Sequence, residues 1–162
     1  MGLGGKHAIA GIVWLALMGA VYLGISRLTA PKIGYTSSGS EIRIPRSADG
    51  HHYVEGTVNG RRLVFLVDTG ATVTSIGSAA ARALRLDGGK PVSVMTANGT
   101  ATGEVFSGVT IGLGDILVHR ARVIVLPSLG DTALLGQNVI RHLEVVQASD
   151  AMVIRPRAGS LP

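Results

Sequence analysis

Residues 63–67 form an apolar run, LVFLV, that ends on a single acid, Asp68, followed by Thr69, Gly70, Ala71 and Thr72. Ending a core strand on a carboxylate is costly. Buried without a partner, the group either shifts its pKa or destabilises the fold. Two readings account for it. A sheltered carboxylate can act as a general acid or base. Alternatively, the strand end reaches solvent, Asp68 caps a turn, and Gly70 supplies a positive φ.

Other chemistries find little support in the residues. The chain has no cysteine, which excludes disulfides, thiolate metal sites and cysteine nucleophiles. His51 and His52 are adjacent, and on a strand they point to opposite faces, so one ion cannot take both. His119 and His142 have no Cys or second His nearby. The Gly-x-Gly at Gly112 and Gly114 lacks a third glycine and a following helix, and reads as a hairpin turn. No metal and no cofactor are expected.

The order apolar strand, Asp-Thr-Gly-Ala-Thr, helix resembles the retropepsin-like aspartic proteases. A second stretch, ALLGQNVIRHLEVV, resembles that family's downstream signature, with Leu134, Leu135, Gly136 and Asn138 in place. Between the two lies VMTANGTATGEV, where the family places its flap hairpin, around Met95, Thr96, Ala97, Asn98 and Gly99. The likeness covers residues 42–154 and is to single-domain bacterial forms with an N-terminal membrane segment. It implies an aspartic endopeptidase acting on a peptide or protein substrate. Asp68 would be catalytic. Thr69 would brace the two loops across a dimer axis, and Gly70 would let its N–H approach the carboxylates. Ala71 would stay small beside the cleft, and Thr72 or Thr74 would orient the outer carboxylate oxygen. One Asp-Thr-Gly per chain implies a homodimer, since the mechanism takes two carboxylates. Thr96 and Asn98 are polar where some relatives are glycine-rich or aromatic. A catalytically inactive peptide- or protein-binding module of the same fold is the alternative.

The elements that must position these residues are mostly strands. Aromatics make up only 4% of the chain and glycines number 23, which suits a small aliphatic core with many turns. Asn59-Gly60 marks a tight hairpin, and Asn98-Gly99 a second. Helices are expected at residues 77–86, with Ser78 as N-cap, and at 136–143. Six to eight strands with two short helices argue for an all-β fold. With the family likeness, this becomes a retropepsin-like closed barrel or sandwich with a flap hairpin, plus one N-terminal transmembrane helix.

The expected organisation is a short flank at 1–7, a transmembrane anchor at 8–25 and a flexible tether at 26–40. The protease domain follows at 41–156, then a loose tail at 157–162. Residues 8–25 hold no charge over 18 positions, enough to span a bilayer, with Trp14 and Tyr22 as interfacial anchors. The net charge of +5 lies in the flanks. Between His51 and Ile154, eight basic side chains balance eight acidic ones, which argues against a nucleic-acid partner. The expected location is a bacterial inner membrane, single-pass, with the domain in the periplasm. The signal-anchor form supports this orientation, although Arg27, Lys32 and Arg43 on the trailing side count against it.

Overall fold

The computed structural model describes residues 3–28, 33–38 and 40–157, with side chains in the first helix given for 11–27. The chain forms two units, Met1–Pro31 and Lys32–Pro162.

The first unit is helix α1, Leu3–Leu28. Its sequence contains no proline and no β-branched cluster dense enough to break it. Apolar side chains lie on all its faces, and those described, including Ile12, Leu15, Leu17 and Leu23, are exposed. Among the described residues no helix is long and apolar enough to cross a membrane. The expected span at 8–25 opens with residues 8–10, whose side chains lie outside those described. So do residues 1–2 of the flank, 29–32 and 39 of the tether, and 158–162 of the tail.

The second unit is built of strands β1 (Thr36–Ser38), β2 (Glu41–Pro45), β3 (Tyr53–Val58), β4 (Arg61–Val67) and β5 (Thr74–Gly77). Helix α2 (Ser78–Leu84) leads to β6 (Lys90–Thr96), β7 (Gly99–Leu113) and β8 (Ile116–Leu126). A short 3-10 turn precedes β9 (Ala133–Leu135), α3 (Gln137–Ile140), β10 (Leu143–Gln147) and β11 (Ala151–Pro156). Seven strands form one sheet in the order β3-β4-β9-β5-β8-β7-β6. The additional pairing of β3 with β7 at Val58–Ile111 closes six of them into a barrel, and β6 projects from it in a hairpin with β7. A smaller antiparallel sheet runs β1-β2-β11-β10.

Alternation places Val54, Val58, Phe65 and Val67 inside, packed with Ile76, Ile111 and Leu135. These branched side chains suit a pleated surface and remove apolar area from water. One polar group interrupts this core. His52 is buried, and neither ring nitrogen has a hydrogen-bond partner among the described residues.

The closed barrel with its hairpin and short helices agrees with the expectation. The differences are local. Strands β5 and β9 escape a period-2 reading because they are four and three residues long and largely buried on both faces. Gly77, and not Ser78, is the N-cap of α2, with no side-chain cap bond. The hairpin turn read at Gly112 and Gly114 falls at Gly114-Asp115, where Leu113 pairs with Ile116. The flap turn is centred on Ala97-Asn98, since Thr96 pairs with Gly99, one residue earlier than the Asn98-Gly99 motif implies. Residues 36–38, assigned to the tether, pair with β2.

A neutral imidazole carries one donor and one acceptor, and burying both unpaired is costly. The substitution His52→Leu therefore stabilises the protein by about 1–3 kcal/mol. A rise in the thermal unfolding midpoint of the full chain checks this; a fall would show that His52 has a partner in solution.

Candidate active site

Asp68 leaves the end of β4 as the chain turns, and it is half-buried. Its backbone N–H donates to the carbonyl of Leu135 at 3.1 Å, extending the parallel pairing of β4 with β9. The N–H of Gly70 donates to Asp68 Oδ1 at 2.9 Å, and the N–H of Ala71 donates to the Asp68 carbonyl at 3.3 Å. The loop thus folds back onto its own carboxylate. Gly70 does not have a positive φ. Its value lies in close approach, since a Cβ there would sit 3.2 Å from Asp68 Oδ1.

The far side of the loop is fastened to α3. The first N–H groups of a helix lack partners within the helix. Here the loop supplies them. Gln137 N donates to the Ala71 carbonyl at 2.7 Å, and Asn138 N to the Thr72 carbonyl at 3.1 Å. The Gln137 side chain adds a bond from Nε2 to the Thr69 carbonyl at 3.0 Å. Thr69 and Thr72 are exposed, and Ala71 is half-buried.

Behind the loop stands a polar knot. Asn138 Oδ1 accepts from the Thr74 N–H at 2.8 Å and from its hydroxyl at 3.0 Å. Asn138 Nδ2 donates to the Arg122 carbonyl on β8 at 2.7 Å. The Thr74 hydroxyl in turn accepts from the Gly136 N–H at 3.1 Å, and Thr74 is fully buried. A Cβ at Gly136 would lie 2.5 Å from the Val73 carbonyl carbon and 2.6 Å from Thr74 N, so no larger residue fits without backbone movement. Leu134 and Leu135 deliver the chain to this point by pairing with Leu66 and Val67.

The structure therefore brings together Asp68, Thr69, Gly70, Ala71, Thr72, Leu134, Leu135, Gly136 and Asn138. It reassigns Thr74, whose hydroxyl serves Asn138 and Gly136 and not the carboxylate. It also adds Gln137, which sequence reasoning passed over. The signal was available: Gln137 sits between two residues of the second signature, at the first helical position.

The hairpin residues Met95, Thr96, Ala97, Asn98 and Gly99 form a separate group. Thr96 Oγ1 donates to the Gly99 carbonyl at 2.7 Å and accepts from the Asn98 N–H at 3.3 Å, which locks the tip. Met95 is 90% exposed. No hydrogen bond joins this tip to the Asp68 loop among the described residues. Two surface cavities, about 550 and 400 Å3, lie elsewhere, the first between α2 and the base of the hairpin. Among the described residues no cluster of three or more His, Asp or Glu is placed to hold a metal ion.

A family model described as "gag-polyprotein putative aspartyl protease" matches residues 54–142, from β3 through α3 and just beyond it. The chain belongs to this retropepsin-like family. It is also similar to the uncharacterised protein RP867 of Rickettsia prowazekii (strain Madrid E), 34% identical over 87 residues. That match covers 51% of this chain and 38% of RP867, so the chain spans well under half of that relative. A crystal structure of a retropepsin-like aspartic protease from Rickettsia conorii superposes with a TM-score of 0.61 at 24% identity. It covers 70% of this chain and 89% of the Rickettsia conorii chain, and it bears out the fold.

Replacing Asn138 by Ala removes the acceptor of a buried N–H and hydroxyl at once. The expected loss of stability is about 2–4 kcal/mol. Chemical denaturation of the two proteins checks it, and an unchanged midpoint would show that the knot does not hold the loop.

Proposed function

We propose that the chain is a membrane-anchored aspartic endopeptidase whose active site is completed when two copies meet. The observation that carries this reading is the Asp68 loop itself. It presents one half-buried carboxylate, pinned by the Gly70 N–H and braced by Gln137 and Asn138.

The chemistry follows from pairing. Two carboxylates brought close cannot both ionise, so the pair shares one proton. The ionised Asp68 takes a proton from water as that water attacks the peptide carbonyl. The protonated Asp68 of the second copy gives its proton to the carbonyl oxygen. The first Asp68 then passes the proton it took from water to the leaving amine, while the second recovers one from the diol as the C–N bond breaks, which restores the shared proton. Their titration belongs to the pair. Thr69 braces the two loops across the axis. The β6–β7 hairpin holds an extended substrate by backbone hydrogen bonds and excludes water on closing. One chain alone offers one carboxylate and half a cleft.

Apolar side chains on every face of α1 support its role as an anchor. The proposed location is a bacterial inner membrane, single-pass, with the domain in the periplasm. Anchoring raises the local concentration of the copies and favours pairing.

The test is cleavage of a peptide mixture by the full chain in detergent. Wild-type activity per chain rises with protein concentration, and Asp68→Asn lowers the rate by about 10²–10⁴-fold while the fold persists. Equal rates for the two proteins would exclude the carboxylate mechanism. Peptide binding without cleavage by either would favour a binding module.

A further inference from the structure

A polar cluster outside the family signatures stands at the strand end opposite the Asp68 loop. Asp49 Oδ1 accepts from the His51 N–H at 3.0 Å. Asp49 Oδ2 accepts from the Tyr53 hydroxyl at 2.7 Å and lies 3.3 Å from His51 Nδ1. The two rings meet edge-on with centroids 6.4 Å apart.

Its position follows from register. Tyr53 pairs with Leu66, and one step further the Val67 N–H donates to the His52 carbonyl at 2.9 Å. One more step sets His51 across from Asp68. Side chains of directly opposed residues share a face, with Cβ atoms about 4.5–5.5 Å apart. His52 and Val67 point into the core. His51, Tyr53, Leu66 and Asp68 therefore lie on the other face together.

We propose that His51, held by Asp49, is a specificity-determining group beside the cleft that favours substrates with an acidic side chain near the cleaved bond. This rests on the endopeptidase reading above. Nδ1 is committed to Asp49, which leaves Nε2 as the free nitrogen. When the ring is protonated, Nε2–H donates and attracts a carboxylate. When it is neutral, Nε2 only accepts, which disfavours a carboxylate and suits an amide. Asp49 remains an anion throughout this range. The Tyr53 hydrogen bond first, then the His51 backbone N–H, holds its pKa down at about 2. Tyr53 meets the ring edge-on, continuation of the register sets Asp68 across the strand pair, and Arg46, whose Nε donates to the Gly50 carbonyl at 3.2 Å, is a further charged group on this turn.

The sign is definite. Preference for Glu over Gln is strongest in acid and declines as the imidazole loses its proton. The experiment is cleavage of a proteome-derived peptide library by the full chain at about pH 5 and about pH 7.5. The readout is the ratio of Asp and Glu to Asn and Gln within about three residues of the cleaved bond, a stretch of about 10 Å. In the wild type this ratio is about two- to fivefold higher at the lower pH, the scale of an exposed charged contact. In His51→Phe and in His51→Gln, which hydrogen-bonds but cannot be charged, it is flat with pH. Cleavage with the same pH-dependent ratio in both variants overturns the proposal and leaves the endopeptidase reading standing. A wild type that cuts nothing overturns both.

Discussion

The site depends on β9 threading between β4 and β5, close enough that its next residue, Gly136, abuts the Val73–Thr74 backbone. That approach brings the start of α3 against the Asp68 loop. It also lets Asn138 accept from both the backbone N–H and the hydroxyl of the buried Thr74. Geometry and polar satisfaction reinforce each other. The loop carbonyls cap the helix, the helix side chains fix the loop, and Arg122 on β8 ties the knot to the barrel wall. A network of this kind rigidifies a core when every member is paired, and is a liability when one is lost.

This arrangement resolves the cost of ending a core strand on an acid. Asp68 stays only half-buried, and a backbone N–H one turn away solvates one of its oxygens. Rigidity behind the loop and openness in front of it suit a group that must hold its place while meeting a partner or a substrate.

The Asp-Thr-Gly triplet, the second signature and the β6–β7 hairpin were legible because each carries a local pattern that few alternatives explain. Asp68 interrupts an apolar run, and glycine and asparagine mark the turns. An all-β fold was legible from turn spacing and aliphatic composition, and the closed barrel or sandwich followed from the family likeness. Other features were hidden for physical reasons. Strand β5 contains Thr74, Ser75 and Gly77, all buried, so no alternation marks it. The role of Thr74 depends on a partner 64 residues away, which no local pattern reveals. The pairing of residues 36–38 with β2 is a tertiary gain in a stretch whose composition reads as a tether. The cluster around His51 was split in the sequence by alternation, with His52 facing the core and His51 facing out.

The central claim is that one site takes Asp68 from each of two chains. Mixing wild-type chains with Asp68→Asn chains at constant total concentration, after exchange in detergent, tests it directly. If every functional site needs two intact Asp68 residues, activity falls as the square of the wild-type fraction. A linear fall would mean that each chain works alone, and would contradict the account.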